Sequence, residues 1–381
     1  MKKIKYLSHY DVLPSSQNRF ISSPAAVNKQ DYIFKVLSEL GIQTTVISAC
    51  GSREPISYPA CEKEVYPGIT LKLLPTLKCK GKISRIIAVI VFRFRLMMSL
   101  LREVQNGDTL FVYHSLSLMK FIKILKIFRK FKLVIDIEEI YGDVLQDGKI
   151  VKQELKFFEL ADGYLFPTEL LEKKLNAENK PYAVVYGTYN VEEDLNCSFD
   201  DDKIHIVYAG TLDPRKGGAG ASVATGEFLD SRYHMHILGF GTDADREHLC
   251  KEIERVSEKS KCKVTYDGCL AGNEYIRFLQ SCDIGLSTQN PSGAFNDTSF
   301  PSKILSYMAN GLRVVSIRIS AIEASGIGGY MYYYEKQSPE DIAKAIQKVD
   351  INDCYDSREK IRILHNEFKD NIKKVLDSIC D

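Results

Sequence analysis

The chain is expected to be α/β, with two Rossmann-like parallel-sheet domains facing a common cleft. Three observations predict this. At 381 residues it is too long for one ordinary core and suits two domains. Short β-rich runs alternate with longer helical patterns, the pattern of parallel sheets covered by helices. One acidic, unpatterned stretch at 191–202 divides that alternation into two series of similar size.

In the first series the expected strands are 3–8, 43–47, 109–113, 133–137, 163–166 and 182–186, with helical patterns between them such as 27–40 and 151–160. In the second they are 203–208, 233–238, 263–266, 284–286, 312–316 and 331–334, with helices at 245–260, 273–281, 302–309 and 339–348. This gives a first domain at 1–190, a linker at 191–202, a second domain at 203–360 and a final helix at 361–381 that packs back on the first domain. Open parallel sheets bind ligands at the carboxyl ends of their strands, so both domains should present functional loops there.

Composition excludes several classes. A chain 45% hydrophobic and 27% charged is ordinary for a globular protein. Ten cysteines contain no CxxC pair and read as reduced core thiols. The seven histidines are scattered, and His234 with His236 alternate along one expected strand, so no metal site is expected. The apolar part of residues 1–7 is too short for a signal peptide, and the longest apolar run, 86–92, is far below a membrane span. The expectation is a cytoplasmic chain.

Four segments carry candidate chemistry. Residues 296–316 read as polar loop, helix, glycine stop and buried strand, with Pro301 in the first turn and Gly311 as the cap. Ser302 and Lys303 at the helix start make either an anion site or an ordinary capped αβ unit. Residues 204–218 run from a strand through Gly210 and Thr211 to Arg215, Lys216 and two glycines, a phosphate loop or a solvated turn. Gly239-Phe240-Gly241 follows a strand and is compatible with nucleotide binding or a tight turn. The strand at 133–137 delivers Glu138 and Glu139, either cleft carboxylates or a solvated pair.

In this order, residues 204–316 resemble the nucleotide-sugar half of family-4 glycosyltransferases of the GT-B fold, of the kind that builds bacterial surface polysaccharides. The resemblance rests on the Lys216-Gly217 turn, Gly239-Phe240-Gly241, the segments 264–270 and 278–286, and Phe300-Pro301-Ser302-Lys303. It implies that Lys216 binds a diphosphate together with Ser302, Lys303 and the helix start. Gly210, Thr211, Arg215 and Gly239 would line the same donor site, and the backbone at Cys269 and Leu270 would border the base. The family often has Arg where this chain has Thr211, and Arg215 would substitute. Its two glutamates, eight residues apart, fall on Thr298 and Ser306, with Ser299, Phe300 and Pro301 between them. Asp297 would take the first glutamate's role. Glu138 and Glu139 would stand beside the reacting sugar. The loop with Ser15, Ser16, Asn18 and Arg19 would face the acceptor.

The implied activity is hexosyl or N-acetylhexosaminyl transfer from a nucleotide-diphosphate-sugar to a glycan or lipid-linked acceptor. It would be retaining and metal-independent, with the donor as co-substrate and no cofactor. The missing glutamates leave open a non-catalytic nucleotide-sugar-binding protein on the same fold. From 78 to 132 the chain holds thirteen Lys and Arg against Glu103 and Asp108, a net +11, so the remainder carries −10. This face either lies on an anionic membrane or solvates its cations, and the aromatic spacing disfavours nucleic acid.

Overall fold

A computed structural model describes residues 2–12, 24–52, 56–289 and 298–380. In the first series the elements are β1 Lys3–Ser8, α1 Pro24–Glu39, β2 Gln43–Ser48, β3 Cys61–Tyr66, β4 Ile69–Leu73, α2 Lys82–Glu103, β5 Thr109–Tyr113, α3 Leu116–Phe128, β6 Lys132–Asp136, α4 Tyr141–Val144, α5 Gly148–Phe158, β7 Gly163–Phe166, α6 Glu169–Leu175 and β8 Tyr182–Val184. The second series is β9 Ile204–Thr211, α7 Gly218–Thr225, β10 Tyr233–Phe240, α8 Asp243–Ser257, β11 Lys263–Gly268, α9 Gly272–Gln280, β12 Ile284–Ser287, α10 Lys303–Ala309, β13 Arg313–Ile317, α11 Ser320–Glu323, β14 Met331–Tyr334, α12 Pro339–Ile346 and α13 Ser357–Cys380.

The chain folds as two compact units. The first comprises Met1–Pro167, Leu171–Val185 and Glu367–Asp381; the second comprises Thr168–Leu170 and Tyr186–Asn366. In the first, eight strands run in the order β3-β4-β2-β1-β5-β6-β7-β8. All described pairs are parallel except β3 with β4. That edge hairpin was not foreseen, because its alternating charged residues (Glu62, Lys63, Glu64) leave little apolar signal. The second unit has a six-stranded parallel sheet, β11-β10-β9-β12-β13-β14.

Local signals explain many helix ends. The Asp147 carboxylate accepts the Lys149 and Ile150 N–H groups at the start of α5. Thr242 and Asp245 form a capping box on α8, and Ser338 caps α12 ahead of Pro339. Helix α7 starts within the stretch that the sequence presents as a glycine turn, and its Gly-Ala-Gly-Ala-Ser start carries almost no apolar period. Helix α13 begins at Ser357, four residues before the final helix expected at 361–381. Its second half packs within the first unit, where Phe368 meets Tyr32 at 5.8 Å and Asp377 accepts from Lys2 at 2.6 Å.

Phe121, Ile124, Phe128 and Phe131 fall at helical spacing in the sequence, yet α3 ends at Phe128 and its buried residues are Leu118, Met119, Ile122 and Leu125. Phe131 is buried beyond the helix, just before β6, while Ile124 and Phe128 are exposed.

Strand order reverses between β1 and β5 in the first sheet and between β9 and β12 in the second. At such switch points the crossovers leave on opposite faces and open a crevice at the carboxyl ends. Each unit has its candidate chemistry there.

Candidate functional site

In the second unit the switch-point strand β9 ends in Ala209, Gly210 and Thr211, and the chain turns through Gly217 (φ +70°) into α7. The buried Tyr208 is the scaffold of this turn. Its hydroxyl donates to the Thr211 carbonyl at 3.1 Å. A Cβ on Gly210 would lie 2.8 Å from that hydroxyl, and one on Gly218 would lie 2.7 Å from it, so both positions are kept clear of side chains.

Lys303 enters from α10. Its ammonium lies 4.3 Å from the Tyr208 ring centroid and would be 3.3 Å from a Cβ on Gly210. Desolvation pushes it down to about 8. A half-buried cation thus stands at the glycine mouth of β9, on a ring face that attracts it only modestly. Tyr307 fixes the helix that carries it. The Tyr307 hydroxyl accepts the Ala209 N–H at 2.8 Å, and its ring lies where any side chain on Gly285 would sit.

The remaining donor-side candidates divide. Pro301 and the exposed Ser302 lie outside the helix assignment, which starts at Lys303; Ser302 has helical backbone but makes no side-chain cap. The Pro301 carbonyl accepts the Ile304 N–H at 3.0 Å, which tightens this first turn. Phe300 is buried and stacks on Tyr186 at 4.8 Å, so it anchors the loop. Thr298 and Ser299 are half-buried beside it. The Ser306 hydroxyl lies 3.5 Å from the Tyr275 hydroxyl. Cys269 is exposed and Leu270 half-buried, just past Gly268 (φ +89°) at the end of β11.

Gly239 pairs in register with Gly210, and a Cβ there would lie 1.9 Å from the Gly210 carbonyl oxygen. Its glycine is therefore explained by strand contact, one step behind the turn. Lys216 is exposed on the loop. Arg215 is held by Asp213, with Nη2 2.7 Å from Oδ2, and is 90% exposed, while the arginine pulls Asp213 down to about 2. Asp297 lies outside the described residues, as do Ser15, Ser16, Asn18 and Arg19.

The first unit has a second cluster at its sheet ends. The Tyr6 hydroxyl of β1 donates to Asp136 Oδ2 at 2.6 Å. Lys29 of α1, itself buried, lies 2.8 Å from Glu138 Oε1 and 3.7 Å from Asp136 Oδ1. Burial pushes Glu138 up to about 7, with Lys29 opposing and Asp136 reinforcing the rise. Burial also raises Asp136 against the pull of Lys29. Desolvation would lower Lys29, but the two carboxylates outweigh it and hold the ammonium above its usual range. Glu138 is therefore a half-buried carboxyl that titrates near neutrality. Glu139 is also half-buried.

Sequence reading missed Lys29 and the neighbouring His114–Glu154 pair. A lysine in phase with the apolar face of α1 was the available signal. His114 Nε2 lies 3.2 Å from Glu154 Oε1, both fully buried, and Glu154 accepts the Tyr141 and Gly142 N–H groups at 2.9 and 2.7 Å. Burial pushes His114 down to about 3, so it stays neutral.

A cavity of 380 Å³ opens at the same switch point. Leu77, Val89, Phe92, Leu96 and Phe121 give it apolar walls, Arg85 and Arg93 give it charge, and His9 and Ser117 lie at the ends of β1 and the start of α3. His9 Nε2 is 3.1 Å from Ser117 Oγ.

Among the described residues, His205, His234 and His236 could hold a metal ion, with candidate ligand atoms within 4.8 Å of one another. His205 pairs with His234 across β9 and β10, a contact the sequence did not reveal. As they stand, the rings form a hydrogen-bonded chain. His205 joins Asp201 at 2.8 Å and His236 at 2.9 Å, and His236 joins Asp267 at 3.1 Å.

Two Rossmann-like parallel-sheet domains define the GT-B fold class, and this is the class of the chain. Residues 203–350 match the family model described as Glycosyl transferases group 1. No curated protein matches the sequence. The chain is similar in structure to alpha,alpha-trehalose 6-phosphate synthase from Burkholderia multivorans, at 13% identity and TM-score 0.67, covering 100% of this chain and 97% of that one. It is similar to the Escherichia coli trehalose-6-phosphate structure bound with UDP-2-fluoro glucose, at 10% identity and TM-score 0.69, covering 100% and 99%. It also resembles the UDP-forming trehalose-phosphate synthase of Burkholderia xenovorans in complex with glucose-6-phosphate, at 12% identity and TM-score 0.62, covering 98% and 96%.

Proposed function

We propose that the protein is a glycosyltransferase that takes a sugar from a nucleotide-diphosphate donor and passes it, with retention and without a metal, to a lipid-linked acceptor of surface-polysaccharide assembly. The observation that carries this reading is Lys303, a partly desolvated cation at the glycine mouth of β9, inside the segment matching Glycosyl transferases group 1. When the glycosidic bond to the donor breaks, negative charge grows on the departing diphosphate. A cation already stripped of much of its water stabilises that charge more than it stabilises the intact donor. Lys216 would add a second charge from the loop. Thr211, Ser302, Thr298 and Ser299 would supply hydroxyls, and Cys269 and Leu270 would border the base. Uridine diphosphate is the first nucleotide to try, because one structural relative was captured with UDP-2-fluoro glucose.

The cavity of the first unit supports an amphiphilic acceptor. Apolar walls suit a chain, and Arg85 and Arg93 suit its phosphate. Glu138 would take the proton of an acceptor hydroxyl, since its carboxyl is half ionised near pH 7.

Release of nucleoside diphosphate from UDP-sugars, with a short-chain lipid phosphate or pyrophosphate as acceptor, tests the reading. Turnover unaffected by Lys303→Ala would refute the role given to Lys303. A second reading, donor binding without transfer, is favoured by Thr298 and Ser306 standing where the resembled family has glutamates. Thermal stabilisation by UDP-sugars with no turnover on any acceptor would establish it.

A further inference from the structure

Helix α2 has two apolar faces. Leu96, Ser99 and Leu100 are buried against the first unit. On the opposite side, Ile83, Ile86, Ile87, Ile90, Phe94 and Met98 are 50 to 76% exposed. At roughly 100° per residue these six fall within an arc of about 120°. Lys82 and Arg93 edge the arc on one side and the exposed Arg102 on the other, where Arg95 is turned to the Pro75 carbonyl at 2.9 Å. Helix α3, which packs against α2, leaves Ile124, Ile127 and Phe128 exposed beside Lys120 and Lys123.

An ordinary surface helix hides its single apolar stripe and wets the rest, and isolated exposed apolar residues are normal. Here the wet side is itself a continuous stripe bordered by cations. A second copy of the chain seated on this stripe would bring its bordering cations against their own counterparts. An anionic bilayer offers headgroup charge for the edges and hydrocarbon for the centre. Among the described residues no helix is long and apolar enough to cross a membrane.

We propose that the first unit docks on an anionic bilayer surface through α2, which lies in the interfacial plane with the six-residue stripe immersed and its flanking cations among the headgroups. The Lys120–Lys123 edge of α3 contributes long-range attraction. This goes beyond glycosyl transfer and does not rest on it.

Co-sedimentation of the full chain with vesicles tests the proposal. Partitioning onto phosphatidylcholine vesicles containing phosphatidylglycerol should exceed that onto pure phosphatidylcholine by at least about tenfold. Ile87→Glu/Phe94→Glu should lose at least about tenfold of that binding, and Lys120→Gln/Lys123→Gln should weaken it mainly at low salt. Circular dichroism and the melting temperature keep the comparison to folded proteins, since all four side chains lie on the outside. Equal binding to both vesicle types, or a glutamate variant that binds like the wild type, would overturn the proposal. So would a stripe that proves to be a dimer contact, seen as a wild-type dimer without vesicle binding that the glutamate variant converts to monomer. Loss of UDP-sugar binding with vesicle binding intact would count only against the donor reading.

Discussion

The Lys303 ammonium rests 4.3 Å above the centre of the Tyr208 ring, next to Gly210 at the end of β9. The contact keeps a cation at the turn while removing part of its water, which is why its proton is held weakly, at about 8. Below that pH the ammonium is charged and attracts a diphosphate; above it the attraction fades. Affinity for UDP should therefore fall as the pH is raised from about 7 to about 9.5. Lys303→Met should weaken binding by about 1.4–2.7 kcal/mol, roughly 10- to 100-fold, and flatten the pH dependence. Calorimetric titration of UDP across this range checks both outcomes.

Lys29 does for Glu138 what no solvent-exposed lysine would. With its charge 2.8 Å away, the Glu138 carboxyl still lies near 7, because burial outweighs the pair. If Glu138 accepts a proton from the acceptor, kcat/KM should rise with pH through about 7. Lys29→Met removes the lowering charge, so that limb should move to higher pH. The same change leaves two buried carboxylates unpaired and should cost about 3–5 kcal/mol of stability, read from urea unfolding at neutral pH. Glu138→Gln should abolish the limb.

Gly239→Ala should damage a neighbour in space that lies 29 residues away in sequence. The added Cβ would sit 1.9 Å from the Gly210 carbonyl oxygen, so β9 and β10 must part at their functional ends. We expect at least about 2 kcal/mol of destabilisation together with weaker UDP binding. Gly241→Ala meets contacts no closer than 3.0 Å and should be milder in both. Thermal melts with and without UDP separate the two.

Tyr307→Phe should separate anchoring from charge. Losing the hydroxyl leaves the Ala209 N–H without its 2.8 Å acceptor, at about 1–3 kcal/mol. Because α10 carries Lys303, UDP affinity should fall with stability, while the pH midpoint of binding stays where Lys303 puts it. Denaturant unfolding and the UDP titration give the two numbers.

Much of the architecture was legible because burial writes periodic patterns. The parallel strands β5, β6, β7, β10 and β12 are mostly apolar runs bounded by turn residues, β10 interrupted by His234 and His236, and each was found within two residues of its ends. The hairpin β3–β4 and the glycine-rich α7 were not, since an edge strand of alternating Lys and Glu and a helix of Gly and Ala carry no such pattern. Of the site, Gly210, Lys303 and Glu138 were visible as residue types at the ends of expected strands or helices.

The sequence by itself determined the two α/β sheets, the loops at their carboxyl ends and the concentration of positive charge between residues 78 and 132. Tertiary structure alone decided which charges act. It gave Arg215 to Asp213 and left Lys303 over Tyr208, joined Lys29 to Glu138 across more than a hundred residues, and turned the isoleucines of α2 outward. The reason is physical. Periodicity reports how much of a side chain is buried, whereas the energy of a charge depends on the few groups within about 4 Å of it, and those are chosen by the packing of distant segments.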